Sequence, residues 1–150
     1  MADPLKILVA AEEEKRISRY MMAWINSYQG LPATISRVDF EQLPADRPGM
    51  ALSTIQAAYI RHRYIYGGYE AEYQFKVIYR IKPGTSNDAR LKADEELNAL
   101  GDWATRNYPD LGDNIRVKRV EATARSSMFA AYENGDEDHQ ILMRMIYEVI

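Results

Sequence analysis

Residues 64–84, YIYGGYEAEYQFKVIYRIKPG, decide the fold. From Tyr69 to Ile81 the side chains alternate. Ala71, Tyr73, Phe75, Val77, Tyr79 and Ile81 fall on one side, and Glu70, Glu72, Gln74, Lys76 and Arg80 on the other. A period of two over so many residues is that of a long strand with one buried and one wet face. Gly67 and Gly68 separate it from a second strand-like run, Ala58 to Tyr66, so the pair reads as a long β-hairpin.

Upstream, Ile17, Tyr20, Met21, Trp24, Ile25 and Tyr28 recur at spacings of three and four, which predicts a helix laid on a sheet. Asp3 and Pro4 are expected to open that helix and Gly30 to stop it. Glu12 to Arg16 carry no period that assigns them to it or separates them from it. Thr34–Phe40 and Met50–Ile55 are expected as short strands around a turn-rich loop with Pro44, Asp46, Pro48 and Gly49.

Downstream, Pro83 and Gly84 end the long strand, and Ser86, Asn87 and Asp88 offer caps for a second helix. Its stripe is Ala89, Ala93, Leu97, Leu100, Trp103 and Ala104, closed by Pro109 and Gly112. Strands are expected at Asn114–Glu121, Met128–Tyr132 and His139–Ile150, the last two joined at Asn134-Gly135. The final run is apolar on both sides, as in a strand buried on both faces. The order predicts an α+β fold, a mostly antiparallel sheet with long hairpins packed against two helices. No repeat, second domain or low-complexity tract is evident, so residues 1–150 read as one domain.

Composition narrows the function. The 150 residues suffice for one core. A formal charge of −3 argues against a protein whose main partner is a nucleic-acid backbone. With 0 cysteines, disulfides, thiolate nucleophiles and cysteine-bound metal centres are out of reach. The apolar run Ile7–Ala11 is too short for a membrane span and no basic leader precedes it, which predicts cytoplasmic assembly without a membrane partner.

No nucleophile elbow, phosphate loop, dinucleotide fingerprint or calcium loop is present, and His62 and His139 lack a second histidine at ligand spacing. No enzyme activity, catalytic residue, metal or cofactor is expected. Two clusters stand out instead. Arg61, Arg63, Lys76 and Arg80 lie among the hairpin tyrosines, a pattern that can bind single-stranded nucleic acid. The favoured reading has the tyrosines packing across strands and the bases pairing with Glu70 and Glu72. The acidic run Glu133, Asp136, Glu137 and Asp138 is expected as a solvated loop tip. With Tyr64, Tyr66 and Tyr69 it forms the candidate subunit interface.

With these residues in hand, the chain resembles the minor capsid and tail-completion proteins of long-tailed bacteriophages, the tail terminator-like group. The resemblance spans about Trp24 to Ile150. It rests on DFEQLPADRPGMALSTI, on the hairpin already quoted, on LGDWATR, and on YENGDEDHQILMRMIYEVI. It implies a virion subunit forming a ring, expected as a hexamer, at the head-proximal end of the tail tube. Its implied partners are other copies of itself, a tail tube protein, and a head connector or stopper protein, with genomic DNA only passing through. No cofactor and no individual functional residue comes with it.

Overall fold

The computed structural model describes residues 6–44 and 47–150. It contains two helices and a mostly antiparallel sheet, the α+β plan expected. Strand β1 (Ile7–Leu8) precedes helix α1 (Ala11–Ile25). Then come β2 (Val38–Phe40), β3 (Gly49–Thr54), β4 (Tyr59–Arg63) and β5 (Tyr69–Ile81). Helix α2 (Asn87–Ala104) leads to β6 (Ile115–Ala122), β7 (Ser127–Ala131) and β8 (Glu137–Val149).

The two 13-residue strands, β5 and β8, form the middle of the sheet, antiparallel from Tyr69↔Val149 to Ile81↔Glu137. On the free side of β5, β3 and β4 lie end to end, flanked by β2 and β1. On the free side of β8, β6 and β7 lie end to end. Both helices cover the same face. Ser18 of α1 meets the Tyr73 hydroxyl at 2.9 Å, and Asp94 of α2 meets His139 at 2.8 Å. The core between helices and sheet holds Ile17, Met21, Leu97, Leu100, Tyr73, Phe75, Met143 and Tyr147. Above its centre Trp24 stacks on Trp103 at 5.2 Å and meets Phe75 edge-on at 6.2 Å.

Helix boundaries depart from expectation at α1. Asp3, Pro4 and Asp46 lie outside the described residues. Ile7 and Leu8 are strand, and the helix opens at Ala11 without a side-chain cap. Its first turn carries Glu12, Glu13 and Glu14, which suit the positive end of the helix dipole. Gly30 is not the stop. Asn26 ends the helix because its side chain pairs with both backbone groups of Val38, accepting from N at 2.7 Å and donating to O at 3.1 Å. Tyr20 and Tyr28 accordingly leave the buried stripe, Tyr20 exposed and Tyr28 beyond the helix. Gly49 belongs to β3 and not to the loop. Helix α2 starts as its caps predict, Ser86 Oγ accepting from Ala89 N at 3.1 Å.

The chain also carries a repeat of layout that its residues conceal. Each half is a helix, an outer arm broken once, and a 13-residue strand. From Thr54 to Tyr59 the arm advances five residues while its partner on β5 moves three, Phe75 to Glu72. From Ala122 to Ser127 against Met143 to Gln140 the count is the same. A one-residue bulge follows at Ile60/His62 and at Met128/Ala130. The turns match as well: Tyr64 N donates to Gly68 O and Tyr132 N to Asp136 O, with Gly67 at φ +97° and Gly135 at +94°. Each break is held by its own helix. Glu14 accepts from Ala58 N, while Asn98 and Asp94 accept from Ser126 N and Oγ at 2.9 and 2.8 Å. Phe75↔Met143 is the central pair of β5 and β8, so the halves are related by an approximate two-fold through it.

Candidate assembly surfaces

The tip of the first hairpin carries three of the expected interface tyrosines, and the structure separates them. Tyr69 donates to Glu13 of α1, and Tyr64 donates to Glu148 Oε2 at 2.7 Å, so both hydroxyls are committed within the chain. That hydrogen bond to a carboxylate, with partial burial, pushes the Tyr64 hydroxyl up to about 12. Tyr66 stacks on Tyr64 at 5.2 Å yet stays 84% exposed, beside a fully exposed Ile65. The free part of the tip is therefore apolar and two residues wide.

The acidic run is not a solvated tip throughout. Glu133 is exposed and Asp136 half-buried, but Glu137 and Asp138 are buried in β8. Glu137 faces α2 and pairs with Arg90 at 2.7 Å, and that hydrogen bond holds its carboxyl below the usual range. Asp138 faces away from the helices and takes a bidentate hydrogen bond from Arg80 at 2.7 and 2.8 Å. Tyr132 adds its hydroxyl at 2.7 Å and lies with its ring 4.9 Å from the Arg80 guanidinium. Strand pairing carried these two carboxylates inward, because β8 begins before His139.

The basic cluster is dismantled in the same way. Arg80 belongs to Asp138, and Arg61 reaches Glu70 at 3.6 Å and Glu72 at 3.8 Å. Lys76 lies 5.5 Å from the Phe129 ring, and Arg63 is exposed at the far end of β4. Of these four, Arg61 alone pairs with Glu70 and Glu72 among the described residues.

The helix-free face of the sheet is a lattice of paired charges. Lys118 donates to Glu70 at 2.7 Å, Arg144 to Glu121 at 2.6 Å, and Arg116 pairs with Glu148. Lys118, Arg144 and the Tyr64 hydroxyl hold Glu70, Glu121 and Glu148, respectively, below the ordinary carboxylate range by hydrogen bonding. Beneath these long side chains Ile146 is fully buried. His139 sits between Asp94 and Glu137 at 2.8 and 3.3 Å, a structural link from β8 to α2. His62 is exposed at the edge of the Tyr64 ring. Among the described residues no three His, Asp or Glu side chains gather to hold a metal, and no helix is long and apolar enough to cross a membrane.

Two further surfaces escaped the sequence reading. Strand β7, Ser-Met-Phe-Ala-Ala, is an uncharged outer strand that pairs with β8 alone among the described residues, with Met128 and Phe129 exposed. At the opposite border, Lys15, Ser18, Arg19 and Met22 of α1 line a cleft of about 380 Å³ closed by Phe40 of β2. Their spacing of three, four and seven residues is the available signal, a second stripe beside the core stripe.

No protein-family model matches the chain, and no curated protein matches it. Solved structures do. A chain of the virion of a native gene transfer agent particle is similar over 88% of this chain and 97% of its own, at 13% identity and a TM-score of 0.59. A second solved chain is 17% identical over 95% of this chain and 96% of its own, with a TM-score of 0.46, too loose to argue from. The first likeness establishes a shared α+β fold across nearly the whole of both chains.

Proposed function

We propose that this protein is a structural virion component of the phage type, a tail terminator or related neck subunit. It forms a ring, a hexamer by family resemblance, at the head-proximal end of the tail tube and joins tube to head. The observation that carries the reading is the fold likeness to a gene transfer agent virion chain over almost the full length of both molecules. The layout agrees: many charges on the helix-free face of the sheet are paired with one another, and apolar groups stay exposed at the edge, tip and cleft. Such surfaces suit contacts between subunits better than chemistry on a small molecule.

In this reading the partners are further copies of the chain, a tail tube protein, and a head connector or stopper protein, met during assembly in the bacterial cytoplasm. Genomic DNA passes the ring without being gripped, in keeping with the −3 net charge. Tyr64 and Tyr69 brace the hairpin tip while Tyr66 and Ile65 make contact. The test is solution mass by light scattering over a concentration series, with and without the cognate tube protein. A single ring mass, weakened by Tyr66→Ala, is expected. A monomer that ignores the tube protein overturns the assignment.

A further inference from the structure

The cleft between α1 and β2 and the turn between β7 and β8 are opposite in charge and alike in apolar character. The cleft has Met22 and Phe40 as its floor and Lys15 and Arg19 as its rim. Neither cation makes an ion pair or side-chain hydrogen bond among the described residues, in contrast to the paired charges on the sheet. The turn 132–136 exposes Tyr132 and Glu133, with Phe129 of β7 beside it. Glu133 likewise has no ion-pair or side-chain hydrogen-bond partner among the described residues. One copy thus offers aromatic rings next to a free carboxylate, and another an apolar floor between two free cations.

Register places the two surfaces for repeated use. Phe40 lies beside Leu52, which pairs with Val77, and Ser18 meets Tyr73, so the cleft is on the β5 side of the sheet near the middle of that strand. The turn precedes Glu137, the partner of Ile81, and lies on the β8 side at the Ile81 end. From Val77 to Ile81 the strand rises about 13 Å at 3.3 Å per residue. Cleft and turn therefore lie at opposite borders of the sheet, offset by about 13 Å or more along the strands. A contact between unlike surfaces on opposite borders is heterologous and repeats from copy to copy, closing into a ring where its rotation allows.

We infer that a second copy of this chain fills the cleft, its 132–136 turn and Phe129 seated on Met22 and Phe40 with Glu133 between Lys15 and Arg19. The inference rests on the self-assembly reading above and specifies its lateral contact. Charge reversal tests it. Glu133→Lys and Arg19→Glu, both at exposed positions, should each weaken association at least about tenfold while leaving the thermal melt unchanged. The triple variant, with Lys15→Glu added, should associate to within about threefold of the parent, because the charges on both sides are then exchanged in sign. If either single variant assembles as the parent does, or the triple variant fails to recover, this contact is wrong while self-assembly stands. If the parent chain stays monomeric at every concentration and with the tube protein, the self-assembly reading falls and takes the contact with it.

Discussion

Residues 49–81 and 117–149 build the same object twice, a broken arm paired with a 13-residue strand, but they stabilise it with different chemistry. At the second turn the cross-strand pair on the outer face is Arg80 and Asp138, a bidentate ion pair largely withdrawn from water. The corresponding pair at the first turn is Glu70 and Glu148, two carboxylates side by side. Their repulsion is offset from outside the pair, by Lys118 and Arg61 on Glu70 and by Arg116 and Tyr64 on Glu148. One register position can thus be satisfied by a buried pair or by a screen of exposed cations. The backbone geometry does not distinguish them.

The largest effect should come at the shared centre. Phe75→Ala and Met143→Ala each remove a fully buried side chain from the central pair and should cost about 3–5 and 2–5 kcal/mol in chemical denaturation, respectively. A loss under about 1 kcal/mol at either site would break the view of one core shared by equivalent halves. Next, Arg80→Ala leaves Asp138 buried and unpaired and should cost on the order of 3 kcal/mol. Lys118→Ala removes an exposed partner of Glu70, which keeps Arg61, and should cost under about 1 kcal/mol. Equal losses would erase the contrast between the two turns.

Smaller still, Gly67→Ala and Gly135→Ala each force a side chain into a positive φ and should cost about 1 kcal/mol apiece, equally in both halves. Smallest is the response to acid. Glu70 and Glu148 are depressed by donors to their ionised forms, so their contribution is complete above the unfolded value of about 4.3. It is lost as pH falls through the lower folded values. The melting temperature should drop between about pH 5 and pH 2, and Glu70→Gln should remove part of that drop. A slope unchanged by the substitution would mean that other carboxylates, Glu137 and Glu148 among them, carry the acid response.

Much of the fold was legible because its signals are local. The alternation in Tyr69–Ile81, the Ser86 cap and the Asn134-Gly135 turn each act within a few residues. Helix α1 was misread at both ends because its start has no capping side chain and its stop depends on Val38, twelve residues away. The repeat stayed hidden because few identities survive between the halves. Tyr64, Gly67, Ile78 and Tyr79 match Tyr132, Gly135, Ile146 and Tyr147, and burial tolerates any apolar residue of suitable volume elsewhere.

The amino-acid order by itself determined which segments are strand or helix and which side of each is apolar, since periodicity and turn chemistry are properties of neighbours along the chain. Only the tertiary structure decided which charges are spent and which are free. That assignment depends on register between segments far apart in sequence. Pairing Ile81 with Glu137 brings Arg80 to Asp138 and draws two carboxylates out of an apparent loop. The same packing leaves Glu133, Lys15 and Arg19 exposed at the borders.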